Sequence, residues 1–182
     1  MLNSRDTFAE SIKDAENLLA HFEALNSHPP PEELEVLKRA GLIMAMTAWE
    51  TYVEDRVYEL TSERLVKVTD QTAARFVRNR LDEELKRLHN PDSQKTISLF
   101  HDYAGVDLQD RWCWNNFDAH AVKRRLDSYL KLRGDVVHRS RAALPECSKA
   151  HPVKKEDLVK AISFLKNLVD ATELAIEKQS IH

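Results

Sequence analysis

The chain has 182 residues, 42% hydrophobic and 31% charged, with a formal net charge of -3. That length is one domain's worth, residues 1–182, and it buries a sizeable core without disulfide or metal staples. Only 3 glycines argue against sandwiches, barrels and doubly wound sheets, whose turns need positive-φ residues, and point to an all-α antiparallel helical bundle.

Apolar residues at helical spacing from Arg5 to Leu25, among them Phe8, Ile12, Ala15 and Phe22, predict a first helix. Pro29, Pro30 and Pro31 end it and form a stiff connector. From Glu32 to about Val68 a proline-free pattern through Leu42, Met46, Trp49, Val53 and Val57 predicts an unusually long second helix, bent near Gly41. A charged amphipathic helix follows over Gln71 to Leu88, broken by Asn90 and Pro91. A short helix is expected from Thr96 to Tyr103, closed by Gly105. Val106 to Asn116 has no clean period and reads as irregular chain in which Trp112 and Trp114 are packing anchors. Helical spacing resumes from Phe117 to about Arg139. After a polar connection through Pro145 and Pro152, a clean amphipathic helix runs from Lys155 to about Glu177.

Cys113 and Cys147 form neither a CxxC pair nor a zinc-ligand pattern, so reduced thiols and no metal site are expected. The N-terminus has no apolar h-region, and the longest apolar stretch, around Leu42 to Ala48, is far short of the roughly 20 residues that span a bilayer. A soluble cytoplasmic protein with no membrane partner is the expectation.

Two residues break the apolar pattern. On the fifth segment Val122, Leu126, Tyr129, Leu130, Val136 and Val137 share one stripe, and Arg133 points along its centre. An unpaired guanidinium there costs several kcal/mol on desolvation, so it needs a carboxylate, a phosphate or an interface. Glu50 shares its own apolar line with Ile43, Met46, Val53 and Val57 on the second helix and is the candidate counter-charge. His138 follows Arg133 by five residues, about 140° around an ideal helix. It would share the arginine's face only if the helix loosens at Gly134. Asp135 stands three residues before His138, close enough to touch and orient the imidazole.

The charge is also uneven. Between Lys123 and Lys155 ten basic residues stand against three acidic ones, a local net charge of +7. Such a concentration suits an anionic partner, most commonly a phosphate backbone, and Lys123, Arg124, Arg139 and Arg141 are the candidate residues for that contact. A solvated basic face without a ligand is the plainer reading of the same charges.

The run RGDVVH from Arg133 to His138 is an Arg-x4-His motif near the end of a penultimate helix. With TAWETYVED (Thr47 to Asp55) in the second helix and VKKEDL (Val153 to Leu158) opening the last, it resembles the HEPN superfamily, and most of all its RiboL-PSP-HEPN branch, over roughly Leu34 to Glu177. The resemblance implies a homodimer with two Arg-x4-His motifs facing each other. It further implies a metal-independent endoribonuclease without cofactor, of a kind often found as toxins, defence factors or RNA-processing factors, with RNA as substrate and a cognate antitoxin or regulator as a further partner. It nominates Arg133 and His138 as catalytic, with Asp135 and Glu50 supporting them. Many relatives carry a polar residue directly after the arginine, whereas here Gly134 stands there and Asp135 comes one step later.

These residue types suit that chemistry. RNA carries its own nucleophile, the 2′-OH, so the protein needs a group that moves a proton and a cation that steadies the phosphorane. An imidazole titrates near neutral pH, and a planar guanidinium grips two phosphate oxygens at once. No GxSxG, HExxH, Walker A or GxGxxG pattern points elsewhere. The rival reading is a non-catalytic helical interaction module, antitoxin-like or a regulatory dimer, in which Arg133 and His138 are structural.

Overall fold

A computed structural model describes residues 3–27, 31–141 and 153–180. Six α-helices and one 3-10 turn make up the described secondary structure: α1 (Ser4–Leu25), the turn Glu32–Leu34, α2 (Glu35–Leu65), α3 (Gln71–Arg87), α4 (Ser93–Asp102), α5 (Ala119–Arg141) and α6 (Lys155–Ser180). Among the described residues no strand forms, and the fold is the expected all-α bundle. No described helix is long and apolar enough to cross a membrane.

The helix starts follow from short polar side chains. Asn3, Asp70 and Asp92 take extended backbone and accept from the first free N–H groups of α1, α3 and α4, at 2.9, 2.9 and 2.8 Å respectively. The cap at Asp92 starts α4 three residues before the expected Thr96. Glu32–Leu34 is a separate 3-10 turn, so the long second helix begins at Glu35. Gly105, at φ 58, takes the left-handed turn that follows α4, and its N–H donates to the His101 carbonyl at 3.1 Å.

α2 is the axis of the bundle and touches all five other helices. Its buried residues, including Ala45, Met46, Ala48, Trp49, Tyr52 and Val53, form a broad apolar face, while Asp55 and Tyr58 stay exposed on the other side. Gly41 is a close-approach position inside this helix: a Cβ there would fall 2.8 Å from Leu158 Cδ2 of α6. The irregular segment between α4 and α5 is anchored as expected. Trp112 is fully buried and donates its indole N–H to Thr172 Oγ1 at 3.0 Å. Trp114 packs with Phe117 and Phe164. Cys113 is an exposed free thiol, while Cys147 and the connection through Pro145 and Pro152 lie outside the described residues.

An ionic network fastens α1 and α6 to α2. Arg56 donates through Nε and Nη2 to the two carboxylate oxygens of buried Glu173, at 2.9 and 2.8 Å, and Tyr52 donates to the same carboxylate at 2.6 Å. Arg56 also meets Glu59 at 3.3 Å, and Glu59 accepts from the N–H and hydroxyl of Ser4 at the start of α1. Removing one partner leaves a buried charge unanswered. Glu173→Ala is therefore expected to cost about 3 kcal/mol or more in chemical denaturation. Burial first, and the Glu173 charge second, push the Tyr52 phenol well above its ordinary 10.0. The folded state thus holds that proton more tightly than the unfolded chain, so its stabilising effect is complete below pH 10 and is lost as pH rises further. A stability-versus-pH series should show an alkaline decline that is shallower in Tyr52→Phe.

Candidate active site

Three elements converge on one guanidinium. Arg133, on α5, reaches across to α2, where its Nη2 lies 3.4 Å from Glu50 Oε2. Its Nη1 donates to the side-chain oxygen of Asn90, in the connection between α3 and α4. Asn90 closes the triangle, since its backbone N–H donates to Glu50 Oε1 at 3.0 Å. The Arg133 and Glu50 side chains are 22% and 17% exposed, so the pair stands at the edge of the core with one side open to solvent. The expected pairing of these two charges is therefore present, with an additional residue completing it.

Asn90 adopts φ 59, a left-handed conformation that asparagine tolerates better than most residues. That backbone aims its N–H at α2 and its side chain at α5. The turn it begins is held from both sides. Trp49 donates to the Pro91 carbonyl over a long 3.5 Å, and Asp127 of α5 accepts from the N–H and hydroxyl of Ser93 at 2.9 and 3.0 Å. The Asn90-Pro91 pair reads in the sequence as a break alone. What marks it as part of the site is the positive φ and the folded-back chain, which no local spacing reveals.

The arrangement leaves the guanidinium fixed but underused. Arginine has five N–H donors, and among the described residues only Asn90 accepts a hydrogen bond from it; Nε is buried without a partner. One turn along α2, burial and then the charges of Glu50 and Asp55 push the Glu54 carboxyl above its usual range, while nearby His89 pulls it back. Glu54 and His89 thus stand beside the Glu50–Asn90–Arg133 triangle, and sequence spacing did not single them out.

The remaining expected residues are arranged differently. α5 is helical without interruption through Gly134, so His138 stays about 140° round from Arg133, and it is exposed. The loosening that would bring both onto one face does not occur, because an open-sided glycine is still held by the α-helical hydrogen-bond ladder on either side. Asp135 makes no ion pair with His138, contrary to the expected contact: an aspartate is short, and an interval of three residues places the two Cβ atoms near each other without forcing their polar ends together. Arg124 stands nine residues before Arg133, about half a turn round and roughly 13 Å along the axis, where it meets His120. Lys123 is half-buried beside it. Arg139 and Arg141 belong to α5, but their side chains, like most of the basic connection after them, lie outside the described residues. Among the described residues no cluster of His, Cys, Asp and Glu could hold a metal ion.

A model of the RiboL-PSP-HEPN family matches residues 7–178. The chain belongs to that family. The match takes in α2 with Glu50, the Asn90 turn, all of α5 and nearly all of α6, so the triangle lies wholly within it. Membership gives an RNA-related, nuclease-type function at the level of the family. No curated protein and no solved structure matches the chain.

The geometry makes Asn90 separable from its neighbours. Asn90→Gly keeps the left-handed backbone and the N–H to Glu50 but releases Arg133, whereas Asn90→Ala adds the Cβ penalty of a positive φ. Denaturant melts should place the alanine variant below the glycine variant by about 1 kcal/mol.

Proposed function

We propose that this RiboL-PSP-HEPN protein is a metal-independent endoribonuclease whose working site is built by two copies of the chain. In this reading the 2′-OH of one nucleotide attacks the adjacent phosphorus, an imidazole accepts its proton, and the departing 5′-oxygen takes up a proton in turn. The products are a 2′,3′-cyclic phosphate and a 5′-OH. Arg133 answers the charge that builds on the phosphorane oxygens, with a fork that lysine lacks. His138 moves the protons. A second copy supplies the second imidazole, so one serves as base and the other as acid.

The observation that carries this reading is the guanidinium clamped by Glu50 and Asn90 at the edge of the core, with the side chain 22% exposed so that its terminal nitrogens can still meet an outside acceptor. A charge that only needed neutralising would use its donors inward. The divergence of Arg133 and His138 around α5 fits the two-copy arrangement, since a single chain does not bring them to one face. Lys123, Arg124, Arg139 and Arg141 remain the proposed contacts for the flanking backbone, and a cognate antitoxin or regulator is the proposed partner of a toxin role.

One observation favours the alternative, a non-catalytic helical module of antitoxin-like or regulatory kind: Glu50 by itself already balances Arg133. The two readings separate in one assay. Purified protein incubated with RNA in EDTA should yield fragments ending in 2′,3′-cyclic phosphate. Arg133→Lys, which keeps the charge opposite Glu50, and His138→Ala, at an exposed position, should each lower the rate by about 10² or more while leaving the melting curve near that of the parent. Dilution or interface substitutions that give monomers in sedimentation should abolish cleavage with both residues intact. RNA left whole by a folded dimer selects the module.

A further inference from the structure

A second feature lies about one turn back along α5. Between α5, α6 and the irregular segment before α5 is a half-open pocket of about 460 Å³, within the range of roughly 300 to 1,000 Å³ typical of ligand sites. Its wall is aromatic. Phe164 of α6 meets Trp114, Phe117 and Tyr129 with ring centroids 5.5, 5.9 and 5.5 Å away. Its charged lining residues are both cations, Arg125 of α5 and Lys160 of α6, with no carboxylate among the lining side chains. Arg125 leans over the Tyr129 ring at 5.9 Å, and neither cation makes an ion pair among the described residues. Ser163 and Asn167, both exposed, offer hydroxyl and amide groups at the rim.

An apolar peptide or a core-like dimer contact would use the rings and leave a guanidinium and an ammonium to be desolvated. A free anion would use the cations and leave the rings idle. A single-stranded polynucleotide uses both, because each base offers a flat face and each linkage a negative charge. Ser163 and Asn167 can then meet polar edges of a base. Tyr129 is four residues before Arg133 on α5, about one helical turn, so the pocket adjoins the candidate active site along the same helix.

We propose that this pocket is a subsite for single-stranded RNA, receiving one base against Trp114 and Phe117 with its flanking phosphates on Arg125 and Lys160. The inference rests on the RNA reading above and deepens it, but it does not require that the chain cleave what it holds. It also shifts part of the RNA contact from Lys123 and Arg124 to the neighbouring Arg125 and to α6.

The protein carries its own probe. Trp49 and Trp112 are fully buried, while Trp114 is half-buried in the pocket wall. Titrating the cleavage-blocked His138→Ala protein with a short single-stranded oligoribonucleotide should quench tryptophan fluorescence, and Trp114→Phe should remove most of that quenching. Losing two phosphate contacts in Arg125→Ala/Lys160→Ala should weaken binding and flatten the plot of log affinity against log salt by about 1.4. Both cations are exposed, so the double variant is expected to fold. RNA binding that leaves Trp114 unquenched, or an unchanged salt slope in the double variant, overturns the subsite. Cleavage with unchanged KM in that variant does the same and leaves the nuclease reading standing. Quenching and a flattened slope without any cleavage by the parent protein uphold the subsite and remove the nuclease.

Discussion

The constraint on which this structure turns is the contact of α2 with every other helix of the bundle. A helix that touches every other helix keeps only a narrow solvent face, here around Asp55 and Tyr58, and much of its polar content is turned toward neighbours. Each charge it carries toward the interior must be met by a neighbour, because an isolated buried ion costs several kcal/mol. Arg56 is met by Glu173 of α6 and by Glu59, which in turn takes the first residue of α1. Glu50, less than two turns earlier, is met by Arg133 of α5 and by the backbone of Asn90. The two clusters solve the same problem at two heights of one helix.

They differ in how completely they solve it. Around Arg56 the carboxylate of Glu173 is nearly closed off, both its oxygens accept, and the tyrosine hydroxyl fills the remaining position. That is a saturated network whose work is to fix α1, α2 and α6. Around Arg133 the carboxylate is shared between a cation and an amide, and the guanidinium keeps one side toward solvent. Rigid placement together with an open side is what electrostatic catalysis asks of a cation, since groups held in position need not reorganise when charge develops. The same helix therefore carries one cluster suited to holding the bundle and one suited to meeting a ligand.

α5 joins the two candidate ligand surfaces. Its α2-facing side presents Arg133 to Glu50 and Asn90, and its α6-facing side presents Arg125 and Tyr129 to the aromatic pocket. The stripe they share, from Val122 through Leu126 and Leu130 to Val136, is buried and holds the helix at one rotation. Core packing is thus what sets the angle between guanidinium and pocket.

Much was legible in the residues alone. Helix spacing and proline placement fixed the order of the six helices, and glycine scarcity their all-α class, because periodicity and backbone restriction are local properties. The two charges on apolar stripes announced a Glu50–Arg133 pair, since burying either alone is so costly that a partner is nearly compulsory. Asn90, His89 and the ring of Trp114, Phe117, Tyr129 and Phe164 were not legible as sites. Their meaning lies in contacts across intervals of some 35 to 50 residues, and in one left-handed φ that spacing does not encode. The rotation of His138 away from Arg133 was likewise decided by the fold: an unbroken hydrogen-bond ladder kept a glycine-containing helix regular, where sequence alone left room for it to yield.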